Sequence, residues 1–298
     1  MATFYDTHKN SGIMPAAIPA ISIMIAVDTI GIIANSLVII ITIFSKNLRT
    51  TTNYLLAMQC FFDSIHVMAH YYLAYVLYSG KNFDTLPTCL HIMTVPLTGL
   101  NVGTSLIFFT AIDRLIAMLF PIKHQRLNKV LYLGSIVAIC TACNIYILYI
   151  GYLNAEENKD TMVVCLIIEG LHGNPVTIWS VATFSFVFGA VFVYIIIGIR
   201  IWFTAQSNSP IKKFYKCLLI LCIVFMSSWI FTSLSIIFSK ILNLSEEQSF
   251  YLPLYTGITI NIACASNFFV LIKYSKEYRI AAKNVFRKIE IHEKSKLT

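Results

Sequence analysis

The sequence predicts an all-α membrane protein built as a bundle of seven transmembrane helices. Three observations carry that prediction. The 298 residues are 57% hydrophobic with a mean hydropathy of +0.74. Charged residues make up only 12% of the chain, 22 basic and 14 acidic, against roughly 25% in soluble proteins. The charges are also spaced so that long stretches carry none, as a helix needing about 20 apolar residues to cross a bilayer requires.

Taken in order, the first span covers 16–44 and the second 53–78, each with one carboxylate, Asp28 and Asp63. The third (85–112), fourth (131–154), fifth (170–199), sixth (217–239) and seventh (248–272) contain no charged residue. Asp6 and Lys9 precede the first span, which is too long for the apolar core of a cleaved signal peptide, so it reads as a retained span. No repeat or low-complexity segment is visible. The expected organisation is a tail over 1–15, one bundle over 16–272, and a cytoplasmic segment over 273–298.

Basic residues set the orientation, because cytoplasmic loops collect Lys and Arg. With the amino terminus outside, 18 of the 22 basic residues fall on the inner side, from Lys46 and Arg49 through Arg114, Lys123, Arg126 and Lys129 to the segment after Ile272. Only Lys9, Lys81, Lys159 and Lys240 fall outside, beside eight acids. The net charge of +8 is therefore an orientation signal. Inner basic clusters face the lipid bilayer and its anionic headgroups, and without interleaved stacking aromatics they do not make a nucleic-acid groove.

The residues at the span ends point further. Asp113-Arg114-Leu115 followed by Phe120-Pro121-Ile122, with Cys89 placed 25 residues before Arg114, resembles the third helix and second inner loop of rhodopsin-like G protein-coupled receptors. That separation is about 37 Å of helix, one membrane thickness. Asn35, Leu48-Arg49, Thr52-Asn53-Tyr54, Asp63, Phe225, Trp229, Asn267 and Ser275-Lys276-Glu277-Tyr278-Arg279 fall at family spacing across nearly the whole chain. Within that superfamily, the runs Cys60 to His66, Gly99 to Gly103 and Ile112 to Leu115 look most like the nematode serpentine chemoreceptors, class sx.

That resemblance implies a seven-transmembrane helix bundle plus a short amphipathic eighth helix, in the plasma membrane, with a chemosensory role. It also implies a ligand cavity in the outer half and a heterotrimeric G protein as partner. There are departures. The fourth-helix tryptophan and the prolines of the fifth, sixth and seventh helices are missing, with Phe231 and Phe268 near the last two proline positions. Since proline kinks a helix by removing a hydrogen bond, the usual activation hinges are not expected. The tyrosine after Asn267 is replaced by Leu271, and no acid near the start of the sixth helix pairs with Arg114.

Of the eight cysteines, only Cys89 and Cys165 fall outside the lipid on the oxidising side, where disulfides persist, and their bond would pin the second outer loop to the third helix. Cys140 and Cys143 lack the further ligands of a metal site. Arg114 reads as a guanidinium that grips Asp113 at rest and a G protein's carbonyls when active, or as a plain inner-edge anchor. Asp63, with Asn35 and Asn267, reads as a polar chamber able to hold a sodium ion, or as a neutral acid in a structural cluster. No other cofactor is expected. Asp28 has no family counterpart and reads as water-reached. Phe225 and Trp229 read as an activation switch under the cavity, or as core aromatics.

For a small-molecule or peptide ligand, the position of the amine-receptor aspartate is Pro96 and that of the retinal lysine is Asn261, which argues against an amine salt bridge or a Schiff base there. The candidates left are His66, His70, Tyr71, Asn101, Thr183, Thr232, Ser233, Tyr255, Thr259 and Asn261. Enzyme signatures such as HExxH, GxSxG, Walker A and GxGD are absent. A membrane transporter or channel is the rival reading, but paired repeats and Gly/Pro-broken spans are not seen.

Overall fold

The computed structural model describes residues 4–204 and 210–296, nearly all helical. Among the described residues, five helices are long and apolar enough to cross a bilayer. They are α2 (Ile18–Phe44), α5 (Leu86–Leu119), α7 (Lys129–Glu157), α8 (Asn174–Thr204) and α9 (Pro210–Ile241). A sixth span results if α10 (Glu246–Ala265) and α11 (Asn267–Tyr274), bent by 46°, count as one. The sides of these helices that do not touch protein carry Ile33, Tyr149, Phe192 and Phe238, all exposed. A belt of that size would be a liability in water, and lipid is the solvent it fits.

The second apolar stretch is not one continuous helix. It forms α3 (Thr51–His66) and α4 (Ala69–Tyr78), with Val67 and Met68 between them. Across the break the bonds tighten, Met68 N to Ile65 O, His70 N to Val67 O and Tyr71 N to Met68 O. The close approach of α5 sits at the same place. A Cβ on Gly99 would lie 2.5 Å from His66 N and 2.7 Å from Phe62 O, so only glycine lets the two backbones meet there. One helical turn further along α5, a Cβ on Gly103 would stand 3.1 Å from Asp63 Oδ1.

The α10–α11 bend forms without the expected proline. Ser266 N bonds to Ala263 O at 3.1 Å, and the Cys264 carbonyl accepts from the side chains of Asn35 (3.2 Å) and Asn267 (3.1 Å). Side-chain amides thus satisfy a backbone acceptor inside the bend, which is one of the ways a helix kinks without proline.

Capping fixes the helix starts. Thr50 accepts from Asn53 N, Asn128 from Val130 N and Leu131 N, and Ser245 with Gln248 makes a reciprocal capping box. The core is organised around α5, which packs on α3, α7 and α8. The last helix, α12 (Lys276–Lys296), buries Tyr278, Ala281, Ala282 and Val285 and leaves Arg279, Lys283 and Arg287 exposed. Its buried positions follow helical spacing, and the face they form packs on α2 and the turn Lys46–Leu48.

At the end opposite α12, Cys89 and Cys165 form a disulfide with Cα atoms 5.4 Å apart. Beside it β1 (Asp84–Thr85) pairs antiparallel with β2 (Met162–Val163). A short helix, α1 (Phe4–His8), covers this end, with Phe4 packed on Phe83 and Phe250.

Candidate functional site

Three polar groupings lie along the bundle, and the first is at the Arg114 end. Asp113 has no exposed side-chain surface. It receives Thr51 Oγ1 at 2.9 Å, Thr52 Oγ1, Arg114 Nη2 at 2.9 Å and Nε at 3.3 Å. His124 Nε2, from α6 (Pro121–Gln125), lies 2.8 Å from its other oxygen. One carboxylate thus gathers donors from α3, α5 and α6. The pairing of Arg114 with Asp113 was readable in the sequence. Thr51 and His124 were not, because nothing in their own neighbourhoods marks them as partners of a residue 62 or 11 positions away.

The second grouping is at mid-bundle, where Asn35, Asp63 and Asn267 meet. Asn267 Nδ2 reaches Asp63 Oδ2 at 2.9 Å and Asn35 Oδ1 at 3.3 Å. The amides are taken up by one another, by Asp63 and by the Cys264 carbonyl, and Gly103 lies tight against the remaining Asp63 oxygen. A sodium ion would find one carboxylate and no ring of free oxygens. Among the described residues no three His, Cys, Asp or Glu side chains are grouped to hold a metal. These residues do not fit a sodium site.

The third grouping lies toward the disulfide end, and here the polar candidates divide. Asn101 bonds to Asn144 Oδ1 at 2.8 Å and accepts Trp179 Nε1 at 2.8 Å, while Asn144 reaches Thr98 at 3.1 Å. This chain ties α5, α7 and α8 together, and Asn144 and Trp179 in it were not singled out from sequence. Trp179 packs on Trp229 with centroids 5.6 Å apart, and Trp229 on Phe225 at 6.3 Å. Trp229 Nε1 is buried with no partner. Thr183 and Asn101 line a cleft with about 30 Å³ of room, enough for one water.

Tyr71 and Tyr255 sit on the outside of the bundle, bonded to Thr29 at 2.8 Å and to Ala16 O at 2.8 Å. Thr232 and Thr259 both bond to Thr256 O, at 3.3 and 2.7 Å, and Ser233 is half-buried. His66, His70 and Asn261 are buried.

Asp28 departs from expectation. It is buried rather than water-reached, with Oδ2 at 2.9 Å from His70 Nδ1. The contact is close but out of line, and both Asp28 oxygens and that ring nitrogen lack an aligned hydrogen bond. The sequence misled because a lone carboxylate in an apolar span suggests water, while its partner lies 42 positions away.

With this geometry in place, the comparison with known families is decisive. Residues 28–286 match the model of the serpentine-type seven-transmembrane GPCR chemoreceptors, Srsx. The chain belongs to that family. The Srsx proteins are receptors rather than enzymes, and the chain is a multi-pass membrane protein, in keeping with its apolar helices. No curated protein matches the sequence.

Proposed function

We propose that this Srsx receptor binds a small ligand toward the disulfide end of a seven-span bundle and activates a heterotrimeric G protein at the Arg114 end. In this reading α3 with α4 forms the second span, α10 with α11 the seventh, and α12 is the eighth helix lying along the inner leaflet. The amino terminus and the disulfide face outward in the plasma membrane, as the positive-inside distribution of Lys and Arg favours.

The observation that carries this reading is the clasp on Asp113. Arg114 is the one permanently charged group in it, and Thr51, Thr52 and His124 hold the same carboxylate from α3 and α6. Releasing the guanidinium frees the Nε and Nη2 donors that hold Asp113. A ligand drives release to the extent that it binds the released arrangement more tightly than the clasped one.

Trp229 is the natural relay. It touches Trp179, which is bonded into the α5–α7–α8 chain through Asn101, so a shift on α9 moves three other helices without a proline hinge.

The test is basal GTPγS exchange on purified Gαβγ by the receptor in lipid vesicles. Exchange above empty vesicles, lost in Arg114→Ala at matched protein level, is the expected result. Exchange that Arg114→Ala leaves intact overturns the assignment, and solute-driven swelling of the same vesicles would favour a transporter.

A further inference from the structure

Asp28 and His70 make a contact that the signalling reading does not use. Asp28 is ten residues past the start of α2 and His70 eight before the end of α4, about 15 and 12 Å into the bundle from those ends. Neither Asp28 oxygen is solvated or held by an aligned donor. A bare ion in such surroundings is costly, so the pair persists where its net charge is zero. That condition needs one proton, on the imidazole beside a carboxylate or on the carboxyl beside a neutral ring. Removing it leaves an uncompensated anion, and adding a second leaves an uncompensated cation.

We propose that Asp28 and His70 form a proton-binding site that ties α2 to α4. Two further observations fit a site rather than a chance contact. A Cβ on Gly257 would lie 3.5 Å from Met24 Cε, and one on Gly31 would lie 3.0 Å from Ala265 Cβ. The two helices therefore keep the same offset to within one residue, which puts Asn261 of α10 at the level of Asp28. The Asn261 amide nitrogen is buried with no partner, a free donor at the height of a carboxylate with free oxygens. His70 also stands in the first turn after the α3–α4 break, so the proton fastens a segment whose helical ladder is already interrupted.

The surroundings leave the pair as the place where that charge is decided. Asp28 is the only charged residue of α2. From α3 come Asp63, bonded to Asn267, and His66, whose ring centroid is 6.0 Å from that of His70. From α10 comes Cys264, 3.7 Å from His66 Nδ1, and the charged Glu246 and Glu247 stay in the first turn. The tyrosines of α4 nearest α2, Tyr71 and Tyr78, bond to Thr29 and Ser22.

The experiment is the thermal midpoint of the full-length receptor in phosphatidylcholine nanodiscs from pH 5.5 to 9. Because the folded pair is uncharged only while it holds its one proton, its contribution to stability should be lost toward alkaline pH. The wild type should fall by about 3 °C or more over that alkaline limb. Asp28→Asn and His70→Gln should each abolish the fall, the double variant should match the singles, and the exchanged pair Asp28→His with His70→Asp should restore it. Single variants that keep the whole alkaline fall overturn the proposal.

Where a single variant does not fold, the wild type answers alone. Ala69–His70 is the one Ala-His dipeptide in the sequence, so ¹³C-alanine with ¹⁵N-histidine labelling picks out His70. A His70 ring that holds one protonation state through pH 6.5 supports the site, and one that titrates freely there overturns it.

Discussion

Asp113 and Asp28 are both aspartates with no exposed side-chain surface, yet the bundle treats them in opposite ways. Asp113 is met by two hydroxyls, a guanidinium and an imidazole from three helices. Asp28 is met closely by an imidazole that approaches out of line. Burial alone therefore does not decide how firmly a carboxylate is held. The number of aligned donors does, because each replaces part of the hydration that a carboxylate loses inside the protein.

The largest effect should come from Asp113. Asp113→Asn removes the carboxylate that Arg114 pairs with and should cost about 3–5 kcal/mol of stability, as the loss of one partner from a buried ion pair does. Asp28→Asn should cost about 1 kcal/mol or less at pH 7, since it replaces a carboxyl that already lacks aligned bonds. Comparable losses in thermal midpoint for the two variants would break the contrast.

Next come the supports that hold the two regions in place. Cys89→Ala or Cys165→Ala should lose about 2–4 kcal/mol, with the double variant no worse than either single, as read from surface expression and thermal melting. Gly99→Ala forces a Cβ onto the α3 backbone at its break and should cost about 1–3 kcal/mol. If Gly99→Ala is neutral, the α3–α5 approach is looser than the geometry requires.

A subtler effect is expected at Trp229→Leu. It should remove about 0.5–1.5 kcal/mol of ring contact and be non-additive with Trp179→Leu, because the two rings touch. Additive losses in a double-mutant cycle would separate them.

The smallest effect tests the contrast in water. His172 and Glu169, 3.6 Å apart in the segment between β2 and α8, are the exposed counterpart of His70 and Asp28. The hydrogen bond to Glu169 raises His172 above its usual 6.5. The added stability is full below about pH 6.5 and lost as pH rises through the raised value, and exposure limits it to roughly 1 kcal/mol. His172→Gln should flatten that small slope, measured as hydrogen exchange of the loop amides across pH 6 to 8.

Most of the helical layout was legible, because a charge-free run of membrane length has few alternatives. The break at Val67 was not. It coincides with the close approach of a glycine on another helix, and hydropathy within 53–78 carries no trace of Gly99. Asn35, Asp63 and Asn267 were legible through family spacing and do meet. Asp113 and Arg114 were legible as neighbours, but the extent of their clasp was hidden because Thr51 and His124 join it only through folding. The ligand candidates show the limit plainly. Tyr71 and Asn101 look alike in sequence as polar residues within apolar spans, yet one lies on the bundle exterior and the other ties three helices.

The bend at Ser266 has a mechanical meaning that a proline kink would lack. An imino acid is a permanent fixture of its chain, whereas this bend depends on two amides turned toward the Cys264 carbonyl, one of them supplied by Asn35 on a different helix. Losing Asn35 would leave that carbonyl to Asn267 alone, so the joint between α10 and α11 is fastened in part from α2.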